Sequence, residues 1–385
     1  MTVRKIRVLH IITRLDAGGS ATNTLETVRR LDPARFEVDL ISGRTVDPSG
    51  QVEAFIARYG IRCLFIDDLL RDLHPLKDLK AFVRLFLEIR RGRYDIVHTH
   101  SSKAGIIGRW AARLAGVTYV VHTPHGHVFY GYFSRFTTGI FIMLERMTAL
   151  LTDKLIELTQ KGVDEHVALG IGTKAQWSVV PSGIDLDVFK PNEEARVRIR
   201  QEFGIADDEV LVMSVGRLEP VKGHRYLVDA LPCVLKQCPH ARFMFIGDGQ
   251  ERAALERQAH ELGVQNRIIF TGTRHDVAAC LNGADIFSLA SLNEGMGRAV
   301  VEAMSCGKPV VLSRVGGMAD LIDHGKEGFF CPPNDSVALA QALVTLAMDK
   351  PKRDMMSAHA VQRAQQGFSI ETMVRKLEDI YGAFV

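Results

Sequence analysis

Disulfide chemistry is the first thing this sequence lacks. Its six cysteines (Cys63, Cys233, Cys238, Cys280, Cys306 and Cys331) are scattered, with no C-x-x-C pair. That excludes a disulfide-stapled miniprotein, and thiols so placed suit a reducing compartment, so the cytoplasm is expected. An excess of one charge is also missing. Lys plus Arg number 48 against 45 Asp plus Glu, a formal net charge of +3. So small a balance points away from nucleic acid as the main partner. No stretch approaches the roughly 18 apolar residues that would suggest a membrane span. The best candidate, Phe136 to Leu151, is broken by Glu145 and Arg146. Arg4, Lys5 and Arg7 have the charge of an export signal, but the apolar run behind them, Val8 to Ile12, is short and interrupted by His10. It reads as a strand. Short repeats and low-complexity tracts are absent.

What is present suits a folded α/β protein. The 385 residues are 46% hydrophobic and 24% charged, enough for two domains with a core each. Short β-branched runs alternate with helical patterns. Strands are expected at Ile6–Ile12, Glu37–Ser42, Ile61–Ile66, Ile96–Thr99, Tyr119–His122, Val210–Val215, Arg242–Ile246, Ile268–Thr271, Ile286–Leu289 and Pro309–Leu312. Several are apolar on both faces, as parallel strands covered by helices on each side are. Pro181, Gly183 and Pro191 break the periodicity within VVPSGIDLDVFKPNEE, and a charged helix, Glu193–Phe203, comes after it. Two doubly wound domains joined by a hinge are therefore expected, with ligands at the carboxyl ends of the strands and the cleft between domains as the natural site.

Four stretches carry chemistry at such strand ends. Gly18 and Gly19 follow the first strand and precede a helix, where free amides suit an anion. A plain turn needing glycine explains them equally well, and G-x-G-x-x-G is not present. Arg217 and Lys222 lie beyond Val210–Val215, a fork and a point charge suited to a diphosphate. A solvated loop is the alternative. In SLNEGMGRAVVEAMSCGKPVV, Glu294 follows a strand, and Gly295 and Gly297 let the backbone approach a ligand. Glu302 sits on an apolar helix, Arg298–Ser305, where a carboxylate needs a partner such as sugar or ribose hydroxyls. The alternative is one exposed stripe. Finally, His98, His100 and Lys103, then His122, His125 and His127, cluster at two strand ends. The carboxylates and helical spacing of a zinc site are missing, so hydrogen bonding to substrate or backbone is the better reading.

These motifs resemble the family 4 glycosyltransferases, the retaining group with the two-Rossmann-domain GT-B fold. The signature E-x7-E is Glu294 and Glu302, accompanied by GRLEPVKG, PSGID, FIGDGQE, FTGTRHDV and VGGMADLI in the family's order. The resemblance spans essentially the whole chain. It implies an acceptor-binding domain over 1–187, a nucleotide-sugar donor-binding domain over 188–365, and a helix over 366–385 that crosses back onto the first domain. It also implies roles. Arg217 and Lys222 hold the diphosphate, Glu302 takes the ribose hydroxyls, and Glu294 faces the donor sugar. Gly295, Met296, Gly297 and Arg298 line the sugar and phosphates, and Arg274 lies against the nucleobase. Gly18 and Gly19 close over the diphosphate, and His125 stands near the donor sugar and reaction centre.

The activity implied by the resemblance is that of a hexosyl- or N-acetylhexosaminyltransferase that retains anomeric configuration. It is expected to have no cofactor beyond its nucleotide-sugar co-substrate (UDP by default) and to need no metal, on the reading that no D-x-D metal motif appears. PSGID stands where the family often has Asn, and EGMGRA where many members carry a bulkier loop, which leaves the sugar open. For the acceptor, His74–Arg93 carries six Lys/Arg against two acids on an amphipathic pattern, and Phe129–Leu151 is rich in Phe, Tyr and Met. Either is ordinary core-packing helix or a contact with a lipid surface. A lipid-linked saccharide acceptor of surface-polysaccharide or lipopolysaccharide assembly, met at the inner face of the cell membrane, is the leading expectation. A soluble small-molecule acceptor is the alternative, followed by a sugar-nucleotide 2-epimerase of the same fold, against which the E-x7-E block speaks.

Overall fold

The structure is a computed structural model and describes residues 4–16, 18–44, 50–125 and 135–384. His127 and the first part of the Phe129–Leu151 stretch lie outside the described residues. The chain divides into two compact units, Met1–Gly183 with Ile370–Val385, and Ile184–Ser369. The boundaries expected from the sequence were at 187/188 and 365/366.

In the first unit the strands are β1 (Ile6–Ile12), β2 (Phe36–Gly43), β3 (Cys63–Ile66), β4 (Ile96–His100), β5 (Tyr119–Thr123), β6 (Lys154–Glu157) and β7 (Trp177–Val179). They pair in parallel in the order β3-β2-β1-β4-β5-β6-β7. The helices are α1 (Gly19–Arg30), α2 (Gln51–Tyr59), α3 (Pro75–Gly92), α4 (Ser102–Leu114), α5 (Arg135–Ala149) and α6 (Gln160–Ala168). β1 and β4 are buried almost throughout, because helices cover the sheet on each face.

The second unit holds α7 (Glu193–Glu202), β8 (Val210–Val215), α8 (His224–Gln237), β9 (Ala241–Ile246), α9 (Arg252–Glu261), β10 (Ile268–Gly272), α10 (Val277–Gly283), β11 (Ile286–Leu289), α11 (Arg298–Ser305), β12 (Val310–Ser313), β13 (Gly328–Cys331), α12 (Ser336–Met348) and α13 (Lys350–Gly367). Its strand order, β10-β9-β8-β11-β12-β13, is again fully parallel. Each sheet therefore reverses its winding direction once, between β1 and β4 and between β8 and β11. Ligands of doubly wound sheets bind at the carboxyl ends beside that reversal.

The last helix, α14 (Ile370–Gly382), belongs to the first unit although it comes after the second in sequence. Ile370, Met373, Val374, Leu377 and Tyr381 recur at helical spacing and pack with Val8, Ile96, Val121 and Ile156. Tyr381 is fully buried, its hydroxyl 2.6 Å from His98 Nδ1. Fold and helix placement agree with the α/β, GT-B-like architecture expected from the sequence.

Candidate functional site

In the second unit, the loops that leave β8 and β11 meet beside the reversal point. Lys222 Nζ lies 2.5 Å from Glu294 Oε1, and Ser291 Oγ donates to the same oxygen at 2.9 Å. Lys222 is 23% exposed and Glu294 11%, so this ion pair is mostly withdrawn from water. Two glycines allow the approach. Gly223 has φ 65°, and a Cβ there would sit 2.0 Å from the Ala290 carbonyl oxygen. Gly316 has φ 45°, and a Cβ would sit 2.2 Å from the Glu294 carbonyl oxygen. Neither position admits another residue without moving the backbone.

Glu302 lies on α11, as expected, and its partner is on the same helix: Arg298 Nε donates to Glu302 Oε1 at 2.8 Å. Both are largely buried, so the exposed-stripe alternative does not hold. Gly295, Met296 and Gly297 form the turn into α11, with Gly297 at φ 80° as its N-cap. The positive end of that helix faces the turn, an arrangement suited to anionic oxygen. Arg217 is more than half exposed and pairs with Glu219 at 2.8 Å. Arg274 is held by Glu202 at 2.5 Å and by Asp276 at 2.8 Å, over the face of Phe203. Hydrogen bonding to these carboxylates drives its pKa further up, and the Arg274 guanidinium holds the Asp276 carboxyl below its usual range. His224 was not expected from the sequence, where no motif signals it. It opens α8 beside Lys222, and burial, with the Lys222 charge, pushes its pKa down to about 4. The reading that no D-x-D appears is corrected by Asp185-Leu186-Asp187, which begins at the last residue of PSGID and is a D-x-D by spelling. Asp185 Oδ1 accepts the Asp187 N–H at 3.0 Å, the role of a turn cap.

In the first unit, parallel register assembles histidines that the sequence scatters. His10 pairs with His98 across β1 and β4, and His100 with Thr123 across β4 and β5. His10 Nδ1 is 2.8 Å from His100 Nε2, and His100 Nδ1 is 2.9 Å from His125 Nε2. His98 is held by Tyr381 and, at 2.8 Å, by Thr123 Oγ1. His122 points away from this group, to Thr99 Oγ1 at 2.9 Å, and is structural. Burial lowers all of these imidazoles, His10 to about 3 and His125 to about 4, so they are neutral at ordinary pH. A ligand nitrogen from each of His10, His98 and His100 lies within 4.8 Å of the others, close enough to suggest an ion. Five of their six ring nitrogens are already hydrogen-bonded, however, which leaves His10 Nε2 alone and fits a closed network better than a metal set. His125 itself is half-buried and carries φ 62°, a left-handed conformation rarely taken by non-glycine residues and enriched at functional sites. Gly18, extended at φ 178°, caps α1, and Gly19 is already its first residue. Lys103, at the start of α4, pairs with Asp78 at 2.5 Å.

One face of the first unit is apolar and exposed. Phe136, Ile140, Met143, Met147 and Leu150 succeed each other at helical spacing on and just beyond α5. Trp110 and Leu114 of the adjoining α4 are exposed too, as are Leu76, Leu79, Val83 and Leu87 of α3. Phe82 and Phe86 instead pack on the core with Ala81, Leu85 and Ile89. Lys77, Lys80 and Arg84 stand exposed among the α3 leucines. No helix among the described residues is long and apolar enough to cross a membrane.

Comparison with known proteins covers both units. Residues 17–188 match "Glycosyltransferase Family 4", and residues 195–363 match "Glycosyl transferases group 1". The chain is 31% identical over 383 residues to the UDP-Gal:α-D-GlcNAc-diphosphoundecaprenol α-1,3-galactosyltransferase of Escherichia coli, covering 99% of this chain and 97% of that one. It is also 31% identical to the D-inositol 3-phosphate glycosyltransferase of Mycobacteroides abscessus, covering 95% of this chain and 85% of that one. Among solved structures, Anabaena HepE in complex with UDP and glucose superposes with a TM-score of 0.84 at 24% identity, covering 98% of this chain and 100% of that one.

Proposed function

The chain belongs to the group 1 glycosyltransferases of family 4, and on that footing we propose that it moves a hexosyl or N-acetylhexosaminyl group from a UDP-sugar to a hydroxyl of a lipid-linked saccharide, with retention at the anomeric carbon and without a metal ion. The observation that carries the reading is the Lys222–Glu294 pair at the reversal point of the second sheet. It sets a cation for the diphosphate beside a carboxylate for the sugar, where such sheets bind ligands. The UDP donor and the lipid-linked acceptor rest on the Escherichia coli relative, whose name specifies UDP-Gal and a diphosphoundecaprenol-linked GlcNAc.

In this reading Arg217 and Lys222 offset the charge that grows on the β-phosphate as the sugar–phosphate bond breaks. Arg217 leaves Glu219, and Lys222 shares itself between Glu294 and the diphosphate. The acceptor oxygen attacks the face the nucleotide leaves, and its proton passes to the departing phosphate oxygen. No protein base is required. Glu302 accepts from the ribose hydroxyls, Gly295, Met296, Gly297 and Arg298 present the positive end of α11, and Arg274 stacks on the base. In the first unit, Gly18 and Gly19 serve the diphosphate and His125 the transferred sugar. The exposed apolar rows of α3, α4 and α5, with Lys77, Lys80 and Arg84 among them, suit peripheral attachment to an anionic membrane surface, placing the enzyme where a polyprenyl-linked acceptor resides.

A second reading has its own support, since other curated relatives are D-inositol 3-phosphate glycosyltransferases. The deciding experiment incubates the protein with radiolabelled UDP-sugars and either a short polyprenyl-diphosphate GlcNAc or inositol phosphate. Label in the organic phase is expected. Label only in inositol phosphate replaces the acceptor, and an isomerised sugar nucleotide without transfer makes the protein an epimerase.

A further inference from the structure

We propose that His10 and His100 are positioning residues that fix the tautomer of His125, so that His125 presents an N–H at Nδ1 and acts on substrate oxygen as a hydrogen-bond donor, not as a base. The functional half of this inference rests on the reading of His125 as a residue of the sugar site; the tautomeric half does not.

Protons can be counted along a line of three rings. His10, His100 and His125 are joined by two hydrogen bonds, Nδ1 to Nε2 each time. A neutral imidazole carries one N–H and one bare nitrogen. Each bond needs one of each, so only two arrangements satisfy both bonds. In the first, every ring carries its proton at Nδ1: His10 donates to His100, His100 donates to His125, and His10 Nε2 is left bare. In the second, every ring carries its proton at Nε2, and the bonds run the other way. The far end of the line then holds a buried His10 N–H with nothing to accept it, because His10 is fully buried and its Nε2 has no partner among the described residues.

The two ends are not equivalent. His125 is half-buried, so the nitrogen it does not share with His100 can be satisfied by water or substrate in either arrangement. His10 Nε2 has no such freedom. The small cavity next to the cluster, about 10 Å³ and lined by Asn23, His98, His100, Thr123 and Met373, has no wall from His10. An orphaned buried N–H is rarer in proteins than an unpaired acceptor. The dry end therefore chooses the first arrangement, and the choice is transmitted over two hydrogen bonds to the wet end. His98 does not compete, because its two partners are hydroxyls that donate or accept as needed.

The consequence for chemistry is specific. An Nδ1–H at His125 can hold a sugar hydroxyl or ring oxygen, but has no lone pair with which to take the acceptor's proton. This fits a transfer in which the departing phosphate receives that proton.

The test is proton–nitrogen correlation NMR through two bonds on the full chain with ¹⁵N-labelled imidazoles, which separates Nδ1–H from Nε2–H rings. Nδ1–H signatures are expected for His10, His100 and His125; an Nε2–H signature at His125 overturns the proposal. His10→Asn keeps an N–H at the same position and is expected to retain both the tautomer and the turnover. His10→Leu removes it, so that His125 samples both tautomers and kcat falls with the fraction still Nδ1–H, about twofold for equal sampling, with the donor KM unchanged. If His10→Leu leaves His125 wholly Nδ1–H, the relay is wrong. If His125→Ala turns over at the wild-type rate, the sugar-site reading fails, and with it the functional half, whatever the spectra show.

Discussion

Replacing Lys222 separates the two things that this residue can do. Its Nζ lies 2.5 Å from Glu294 Oε1, and both side chains are mostly withdrawn from water, at 23% and 11% exposure. Lys222→Met keeps the aliphatic stem and deletes the charge. Among the described residues, Glu294 then retains only the Ser291 hydrogen bond to its side chain at 2.9 Å, a change worth about 1–2 kcal/mol of stability at a site this dry. Catalysis is expected to suffer more. A preorganised donor aimed at developing charge is worth about 3–4 kcal/mol, or roughly 10²–10³ in kcat. If Lys222 serves only to neutralise Glu294, Lys222→Met costs no further turnover in a Glu294→Gln background, because no charge is left there to neutralise. If it serves the diphosphate, Lys222→Met slows the Glu294→Gln chain about as much as it slows the wild type. The assay is release of UDP at saturating donor, with the unfolding midpoint of each variant measured beside it. Wild-type turnover in Lys222→Met, or a double variant no slower than Glu294→Gln alone, refutes the diphosphate role.

Three other outcomes are expected. Transfer continues in excess EDTA; abolition of activity that Mg²⁺ restores contradicts the metal-free reading. Removing the charges of Lys77, Lys80 and Arg84 together weakens sedimentation with anionic liposomes and leaves neutral liposomes unaffected, whereas unchanged binding to anionic liposomes makes α3 an ordinary surface helix. Glu157 gives a pH signature. Burial raises its pKa from 4.5 to about 7; Oε1 has no hydrogen-bond partner among the described residues, with His166 Nδ1 3.8 Å away, while Oε2 takes the Leu158 N–H at 2.5 Å. The folded state thus holds the proton more tightly than the unfolded state, so stability is lost as pH rises from about 4.5 through 7. At about 1.4 kcal/mol per unit, the full loss is about 3 kcal/mol. Glu157→Gln keeps the Leu158 contact and is expected to raise Tm at pH 8 but not at pH 4; an equal gain at both contradicts the assignment.

Much of the fold was legible from residue order alone, and the exceptions share a cause. Runs such as Val210–Val215 and Ile286–Leu289 announced their strands because both faces are buried and apolar. Lys154–Glu157, Trp177–Val179 and Gly328–Cys331 gave no such signal. They are three or four residues long, and charged ends, a serine or a leading glycine stand where β-branched residues would have marked them. At the site, Glu294 and Glu302 were legible through their spacing, but their partners were not. Arg298 lies one turn from Glu302 and could have been found by helical geometry. Lys222 is 72 positions from Glu294, and only the strand order brings them together. The same holds for His10, which in the sequence merely interrupts an apolar run. Its partnership with His100 exists because β1 lies beside β4 in parallel register, and nothing local to either strand states that. Arg274 shows the converse: its motif suggested a nucleobase, while Glu202, distant in sequence, supplies a carboxylate partner.

The central claim is that the second unit holds a UDP-sugar through Lys222, Arg217 and Glu302. Thermal unfolding with and without ligand tests it most directly, across UDP-, GDP- and ADP-sugars, on the wild type and on Glu302→Ala combined with Lys222→Ala. A ligand at a hundred times its Kd adds about 2.7 kcal/mol of stability. A rise in Tm is predicted with UDP-sugars alone, absent in the double variant. A rise with none of the three, or one that survives in the double variant, contradicts the claim.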